Sequence, residues 1–378
     1  MRSHALRLDL RERPHQIGLM DLIEETRNRL GRARYAAAQG ARSAWYAAQY
    51  ASARRRASGF NRPGEPPFRP SRGRPDIAEM RRAWLKLFRD DRANIEAGLY
   101  PAPRDVRLRD MPRALRSARQ FLADVAEVDR RRVARDGTEL RRAPPADLEP
   151  YPPYYRQNFH YQSDGWLSDE SAALYDHQVE ALFNGAGDAM RRAALAEIGR
   201  ELKQRDQRSA RLVDIGCGTG RFLRQTLEAY PRLRATGLDL SPNYTARARR
   251  LLRPWPQAEL VEGAGEAMPL EDDSQEIAVS IFLFHELPLR VREAVIREAA
   301  RILVPGGLFI VADSLQFGDN PGLDGILEYF PEGFHEPYYR AYLDWDFEPA
   351  MARAGFSPED ARLAFLTKVR TWRKSASP

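Results

Sequence analysis

The chain has 378 residues, 60 of them Lys or Arg against 53 Asp or Glu, and a single cysteine, Cys217. That length exceeds one ordinary domain, and the lone cysteine excludes an internal disulfide framework. No apolar stretch is long enough to span a bilayer. The N-terminus lacks the uncharged apolar core of a secretion signal, and Asp9, Glu12, Asp21, Glu24 and Glu25 speak against a transit peptide, so a cytoplasmic location is expected.

The positive charge is confined to the first part. Residues 1–150 hold 33 Lys and Arg against 20 Asp and Glu, whereas residues 151–378 hold 27 against 33. Only four of the basic residues are lysine, which points to a compositional bias towards arginine. A solvated helical surface explains the excess, and so does an anionic neighbour: acidic lipid headgroups at a peripheral membrane contact, phosphate groups on an acceptor, or nucleic acid. Leu19 to Arg56 carries Leu22, Ile23, Leu30, Tyr35, Trp45, Tyr46 and Tyr50 along one side of a long helix. Residues 58–75 contain five prolines and three glycines and read as a linker, with further helical patterns at 77–99 and 111–135. A mostly helical N-terminal domain over residues 1–150 is expected.

Residues 151–200 are dense in aromatic and polar side chains and read as a lid or connecting segment. Ser168 to Glu170 starts a helix that runs through Phe183, with acids in its first turn. Apolar runs at 211–215, 234–238, 277–283 and 308–312 then alternate with helical segments at 221–229, 243–252 and 290–303. Alternating strands and helices imply βαβ units and a mainly parallel sheet, with ligands at the strands' C-terminal edge. Residues 362–372 supply a last strand or two, although Pro358 and the short length leave the form of that ending open.

The most informative stretch is Leu212 to Gly220, LVDIGCGTG, where an apolar strand enters a turn with Gly216, Gly218 and Gly220 at alternate positions. Glycine allows a nucleotide-like ligand to approach the backbone closely. The dinucleotide spacing fails, because Arg221 stands where its third glycine would fall, and the phosphate-loop pattern fails as well. The observed D-x-G-x-G-x-G resembles motif I of the class I S-adenosylmethionine (SAM) dependent methyltransferases.

Later segments carry the same resemblance. RATGLD ends at Asp239, which the resemblance makes the acceptor of the ribose hydroxyls, with Leu240 packing on adenine. EGAGEAMPL is similar to a G-D-A-E-x-L-P segment of the ubiquinone and menaquinone group, but Ala264 stands where those relatives have an aspartate on the adenine amino group. IAVSIFLFHELP looks like motif IV, which brings residues to the boundary between cofactor and acceptor, and Pro305 to Gly307 match a P-G-G turn into the fifth strand.

The resemblance implies an α/β, Rossmann-like class I methyltransferase domain over residues 201–378, preceded by the helical domain, with SAM as cofactor and S-adenosylhomocysteine (SAH) as product. The expected cofactor-binding residues are Asp214, Gly216, Cys217, Gly218, Gly220, Asp239, Leu240, Gly265, Glu266 and Phe282. Cys217 is expected to be a small packed residue, not a nucleophile.

An insertion at 314–349, rich in aromatics and acids, is expected to cap the acceptor site. Acceptor contacts are assigned to Tyr175, His160, Phe317, His335, Tyr338 and Tyr339. His285 and Glu286, just after the fourth strand, are the candidates for positioning or deprotonating the acceptor. No HExxH or clustered Cys/His spacing implies a metal.

The expected activity is methyl transfer to a small acceptor, aromatic or lipid-like. An RNA methyltransferase using the basic domain is the rival; no recognisable RNA-binding motif supports it. A non-catalytic SAM-binding scaffold, suggested by Ala264, is the third reading.

Overall fold

A computed structural model describes residues 19–58, 64–103, 111–142 and 145–376. The acids at positions 9 and 12, and the side chains of Leu22 and Ile23, lie outside the described residues. Helices α1 (Leu19–Arg56), α2 (Ile77–Glu96), α3 (Met111–Ala134) and the single turn α4 (Pro145–Leu148) come first. They are followed by α5 (Asp169–Leu182) and α6 (Gly187–Leu202).

The remainder is β1 (Arg211–Ile215), α7 (Arg221–Ala229), β2 (Arg234–Asp239), α8 (Pro242–Leu252), β3 (Ala258–Glu262), β4 (Gln275–Ile281), α9 (Leu289–Ile302) and β5 (Leu303–Ser314). Short cap helices α10 (Asp324–Gly333), α11 (Tyr339–Leu343) and α12 (Glu348–Arg353) precede the hairpin β6 (Phe356–Ala364) and β7 (Thr367–Lys374).

The seven strands are ordered β3-β2-β1-β4-β5-β7-β6. The first five are parallel and β7 runs antiparallel between β5 and β6. Leu212, Val213 and Ile215 of β1 and Ile277, Ala278 and Val279 of β4 are fully buried, the near-continuous apolar character that a strand covered on both faces requires. The chain reverses its order between β1 and β4. That reversal leaves a crevice at the strands' C-terminal ends.

Three sequence expectations need adjusting. Strand β3 lay unnoticed in front of the EGAGEAMPL segment, because AELVE alternates acids with apolar residues at a half-exposed sheet edge. Pro305, Gly306 and Gly307 form a bulge inside β5 where a turn before it was expected, since the register against β4 jumps from Gln275↔Leu303 to Ile277↔Leu308. The terminal hairpin is complete: Pro358 is tolerated because β6 is the outer strand and shifts register between Pro358 and Asp360.

The N-terminal helices do not stand apart from the sheet. Helix α6 is buried along nearly its whole length, packing on β5, β7 and α7 while α2 covers it. Its Gly199 is where Leu99 passes: an added Cβ would lie 2.7 Å from the Leu99 carbonyl oxygen and 2.7 Å from the Tyr230 hydroxyl. Asp91 of α2 takes both Nε and Nη2 of Arg192 (2.9 and 2.7 Å) and accepts the hydroxyls of Tyr35 and Tyr100.

Residues 64–75 of the expected linker have no helix or strand, yet they dock on the cap. Ser71 donates to Glu328, Arg72 lies 3.8 Å over the Phe317 ring, and Phe68 meets Tyr329 edge to face.

Candidate active site

The glycine turn after β1 builds the floor of the crevice. Gly216 and Gly218 sit at φ 75° and 55°, the left-handed region that side chains disfavour. Their conformation lets the amides of Gly216 and Cys217 both donate to Leu238 O (2.8 and 2.9 Å) and that of Gly218 donate to Asp239 Oδ2 (2.8 Å). Asp239 also accepts the Ser241 amide on Oδ1 (2.9 Å), so β1 and β2 hold the turn and the acid in one rigid unit.

The crevice opening over this turn is lined by Asp214, Gly216, Cys217, Gly218, Asp239, Leu240, Gly265, Glu266 and Phe282, nine of the ten residues expected to hold the cofactor. Gly220 is the exception. It forms the left-handed N-cap of α7, where Ala248 lies 3.0 Å from the position of a Cβ, so its glycine is needed for helix packing.

Cys217 is buried, and burial together with Asp239 and Asp214 pushes its thiol well above the ordinary value, which keeps it protonated and unreactive. Glu266 already accepts the Tyr154 hydroxyl at 2.7 Å. The roof comes from aromatics that sequence reasoning did not select: Tyr155, Phe159, Trp166 and Tyr244. Helix α5 is fastened to the turn, with Thr219 donating to Asp176 at 2.8 Å. Tyr175 on the same helix packs edge to face on Trp166 and Tyr244.

Beyond Phe282, itself at φ 56°, lies an apolar chamber of about 170 Å³. Tyr175, Phe282 and Glu286 line both spaces. His160, His285 and Tyr339 line the chamber as well, together with Phe330, Leu327 and Leu366 from the cap and hairpin. The other acceptor candidates lie elsewhere. Phe317 is stacked under Arg72, the His335 Nε2 is paired with Gln157 (3.0 Å), and the Tyr338 hydroxyl accepts from Gln157 (3.2 Å). All three turn away from the chamber, Phe317 towards residues 64–75 and His335 and Tyr338 towards residues 157–161, because the insertion folds into three short helices that turn only part of its aromatics inward.

His285 Nδ1 pairs with Asp313 Oδ1 at 2.5 Å, which places the Nδ1 proton on the Asp313 side and leaves Nε2 free to accept. Asp313 is itself held by the amides of Phe284 and Ser314, both at 2.7 Å. It was missed in the sequence, although an acid closing the fifth strand was a visible signal. Glu286 lies 4.0 Å from His285 Nε2 and 3.6 Å from His160 Nε2, and His160 also meets the buried Glu336 at 2.5 Å.

Burial pulls the His285 imidazole down, but Asp313, Glu336 and Glu286 outweigh it and hold it at about 9. Burial pushes Glu286 up to about 7 against the two histidines. His160 stays above its ordinary value because Glu336 and Glu286 overcome the cost of burial. Among the described residues there is no group of His, Cys, Asp and Glu that could hold a metal ion.

Asp214 supplies the test of cofactor fit. It is 1% exposed and neither carboxylate oxygen has a hydrogen-bond partner among the described residues. Burial, with Asp239 adding to it, pushes its carboxyl up to about 8. A buried carboxylate facing a cavity without a partner calls for a cation. The amino group of a SAM methionyl moiety would supply one, and Asp239 has lone pairs that ribose hydroxyls would use.

The sheet order, the glycine turn and the crevice above it define a class I SAM-dependent methyltransferase domain, with SAM as its cofactor. More narrowly, residues 212–307 match the family described as methyltransferase domain. The ubiquinone/menaquinone biosynthesis C-methyltransferase of Syntrophotalea carbinolica is 29% identical over 161 residues, 42% of this chain and 64% of the relative. The 27-O-demethylrifamycin SV methyltransferase of Amycolatopsis mediterranei is 28% identical over 223 residues, 58% of this chain and 74% of the relative. A SAM-dependent methyltransferase structure from Aquifex aeolicus superposes with a TM-score of 0.37 at 15% identity, covering 47% of this chain and 88% of that one. The chain thus spans less than two thirds of the length of the first of these relatives.

Proposed function

We propose that the protein transfers the methyl group of SAM to a small apolar acceptor held in the chamber beyond Phe282. The observation that carries this reading is the shared wall: Tyr175, Phe282 and Glu286 line both the cofactor crevice and an apolar chamber with a histidine–aspartate pair in its side. Bound in the crevice, SAM supplies a sulfonium-activated methyl group for direct displacement.

The chain's own residues then have three tasks. Asp214 and Asp239 seat the cofactor's charged and ribose ends. Phe282 and Tyr175 exclude water from the junction. Neutral His285 accepts on Nε2 the proton that the acceptor's hydroxyl or amine gives up, while Asp313 keeps the imidazole turned towards it. Both relatives named above methylate small molecules by their names, and the chamber here is large enough for about one ring, since an apolar cavity of ~150 Å³ accepts benzene.

The RNA reading gains nothing at this site, where the lining is apolar and enclosed by the protein's own helices. Incubating the protein with methyl-labelled SAM and fractionated lipid, quinone and phenol extracts tests the reading. Label in an organic-soluble product is expected. SAH that binds without any transfer would favour the scaffold reading.

A further inference from the structure

A second apolar cavity, of about 210 Å³, lies between α1, α3 and α5. Tyr50, His160, Tyr175, Val179, Leu182 and Phe334 line both it and the acceptor chamber, so the two spaces adjoin along these side chains. Its remaining apolar lining, Ala53, Ala57, Phe121, Val125 and Val128, comes from the N-terminal helices. Those helices lie outside the residues 212–307 that match the methyltransferase family. The acids on its rim are engaged already: Asp129 pairs with Arg132 at 2.6 Å and accepts from Ser58, and Asp124 accepts from Ser163 at 3.0 Å.

Resting on the methyltransferase reading above, we propose that this outer cavity is the tail site of the acceptor. The substrate class is a ring or polar head bearing an apolar chain. The head sits beside His285 and Phe282 in the inner chamber, and the chain passes Tyr50, Tyr175 and Phe334 into the space between α1 and α3. Size supports the division. The inner chamber matches one ring, since ~150 Å³ of apolar cavity accepts benzene. The outer cavity is larger still and almost wholly apolar, so a hydrocarbon chain is the chemistry that gains most from it.

The arrangement also gives the N-terminal helices a role in specificity. Arg42 of α1 meets Glu180 of α5 and Asp188 of α6 at 2.9 and 2.8 Å, and Arg221, which opens α7 directly after the glycine turn, meets the same Asp188 at 2.5 Å. The wall of the tail site and the cofactor turn are therefore fixed to one buried ionic cluster.

The test uses full-length protein saturated with SAH and a series of 4-alkylphenols from methyl to octyl, with binding measured by calorimetry. Each methylene that enters the cavity is expected to tighten binding about fourfold until the space is filled. Val128→Trp, and separately Val125→Trp, should erase the gain from the longer chains while leaving 4-methylphenol and SAH binding as in the wild type. Intact SAH binding in both variants reports that they are folded. A wild-type series that shows no gain with chain length overturns the proposal, as does a gain that survives in both variants. Failure of the wild type to bind SAH at all is a separate result, which would overturn the methyltransferase reading and this proposal with it.

Discussion

Replacing Asp214 by Asn tests the cofactor assignment most directly, because the wild-type carboxyl has no hydrogen-bond partner among the described residues and is held at about 8. In the unfolded chain this acid ionises near 3.8. The native state therefore binds more protons than the unfolded one between those values, and stability falls as pH rises from about 4 to 8. At pH 8 and above the ionised group costs the cofactor-free protein on the order of 5 kcal/mol, at 1.36 kcal/mol per pH unit.

Asp214→Asn removes that cost, so its melting temperature should gain on the wild type progressively between pH 5 and pH 8. SAH binding should respond in the opposite direction. Losing a charged partner for the amino group weakens binding by about 1.5–3 kcal/mol, roughly 10- to 150-fold. 5′-Methylthioadenosine, which lacks the amino-acid portion, should bind both proteins equally. Calorimetry of wild-type protein at pH 7 in buffers of different ionisation enthalpy should show close to one proton released per SAH bound, because Asp214 is still protonated before the cation arrives. Equal losses for SAH and methylthioadenosine, or no proton release, would refute the pairing of Asp214 with the ligand's ammonium.

Removing the base, His285→Ala, should lower kcat by about 10²–10⁴-fold with the SAH dissociation constant unchanged. Because Asp313 and its acidic neighbours hold His285 at about 9 and only the neutral imidazole accepts a proton, the wild-type rate should climb with pH up to that value. In Asp313→Asn burial gains the upper hand and the acidic limb of a kcat–pH profile should move to lower pH. Thr219→Ala cuts the hydrogen bond that fastens α5 to the glycine turn and should raise the SAH dissociation rate about 5- to 30-fold in stopped-flow measurements, equivalent to about 1–2 kcal/mol. Asp91→Ala removes two hydrogen bonds to the buried Arg192 and should cost about 1.5–3 kcal/mol in denaturant unfolding.

The cofactor half of the site was legible because it depends on local pattern. A strand, a glycine turn and a helix follow one another directly, and an acid at the end of the next strand lies beside them by the geometry of a parallel sheet. The run of expected residues from Asp214 to Asp239 lines the crevice because of this regularity. Gly220 stands apart from the crevice lining, because a glycine at an N-cap and a glycine at a ligand look alike in sequence.

The acceptor side was only partly legible. Tyr175, His160, Tyr339, His285 and Glu286 reach the chamber or its junction with the crevice, whereas Phe317, His335 and Tyr338 turn to Arg72, Gln157 and Tyr161 instead. Which aromatic of a crowded segment turns inward depends on the short helices α10 and α11 and on residues 64–75 docked upon them, and none of that has a periodic signature.

Strand alternation and charge distribution sufficed for a Rossmann-like domain and a basic helical N-terminal part, and the resemblance carried by the glycine motif pointed to the cofactor, since each is written in neighbouring residues. Only the folded chain could show that Asp313 stands behind His285, that Asp214 is buried with no hydrogen-bond partner among the described residues, and that α1 and α3 wall a cavity against the chamber beyond Phe282. Such features join residues up to about three hundred positions apart, as Tyr50 and Phe334 are. Their meeting is set by how the layers pack and not by any pattern along the chain.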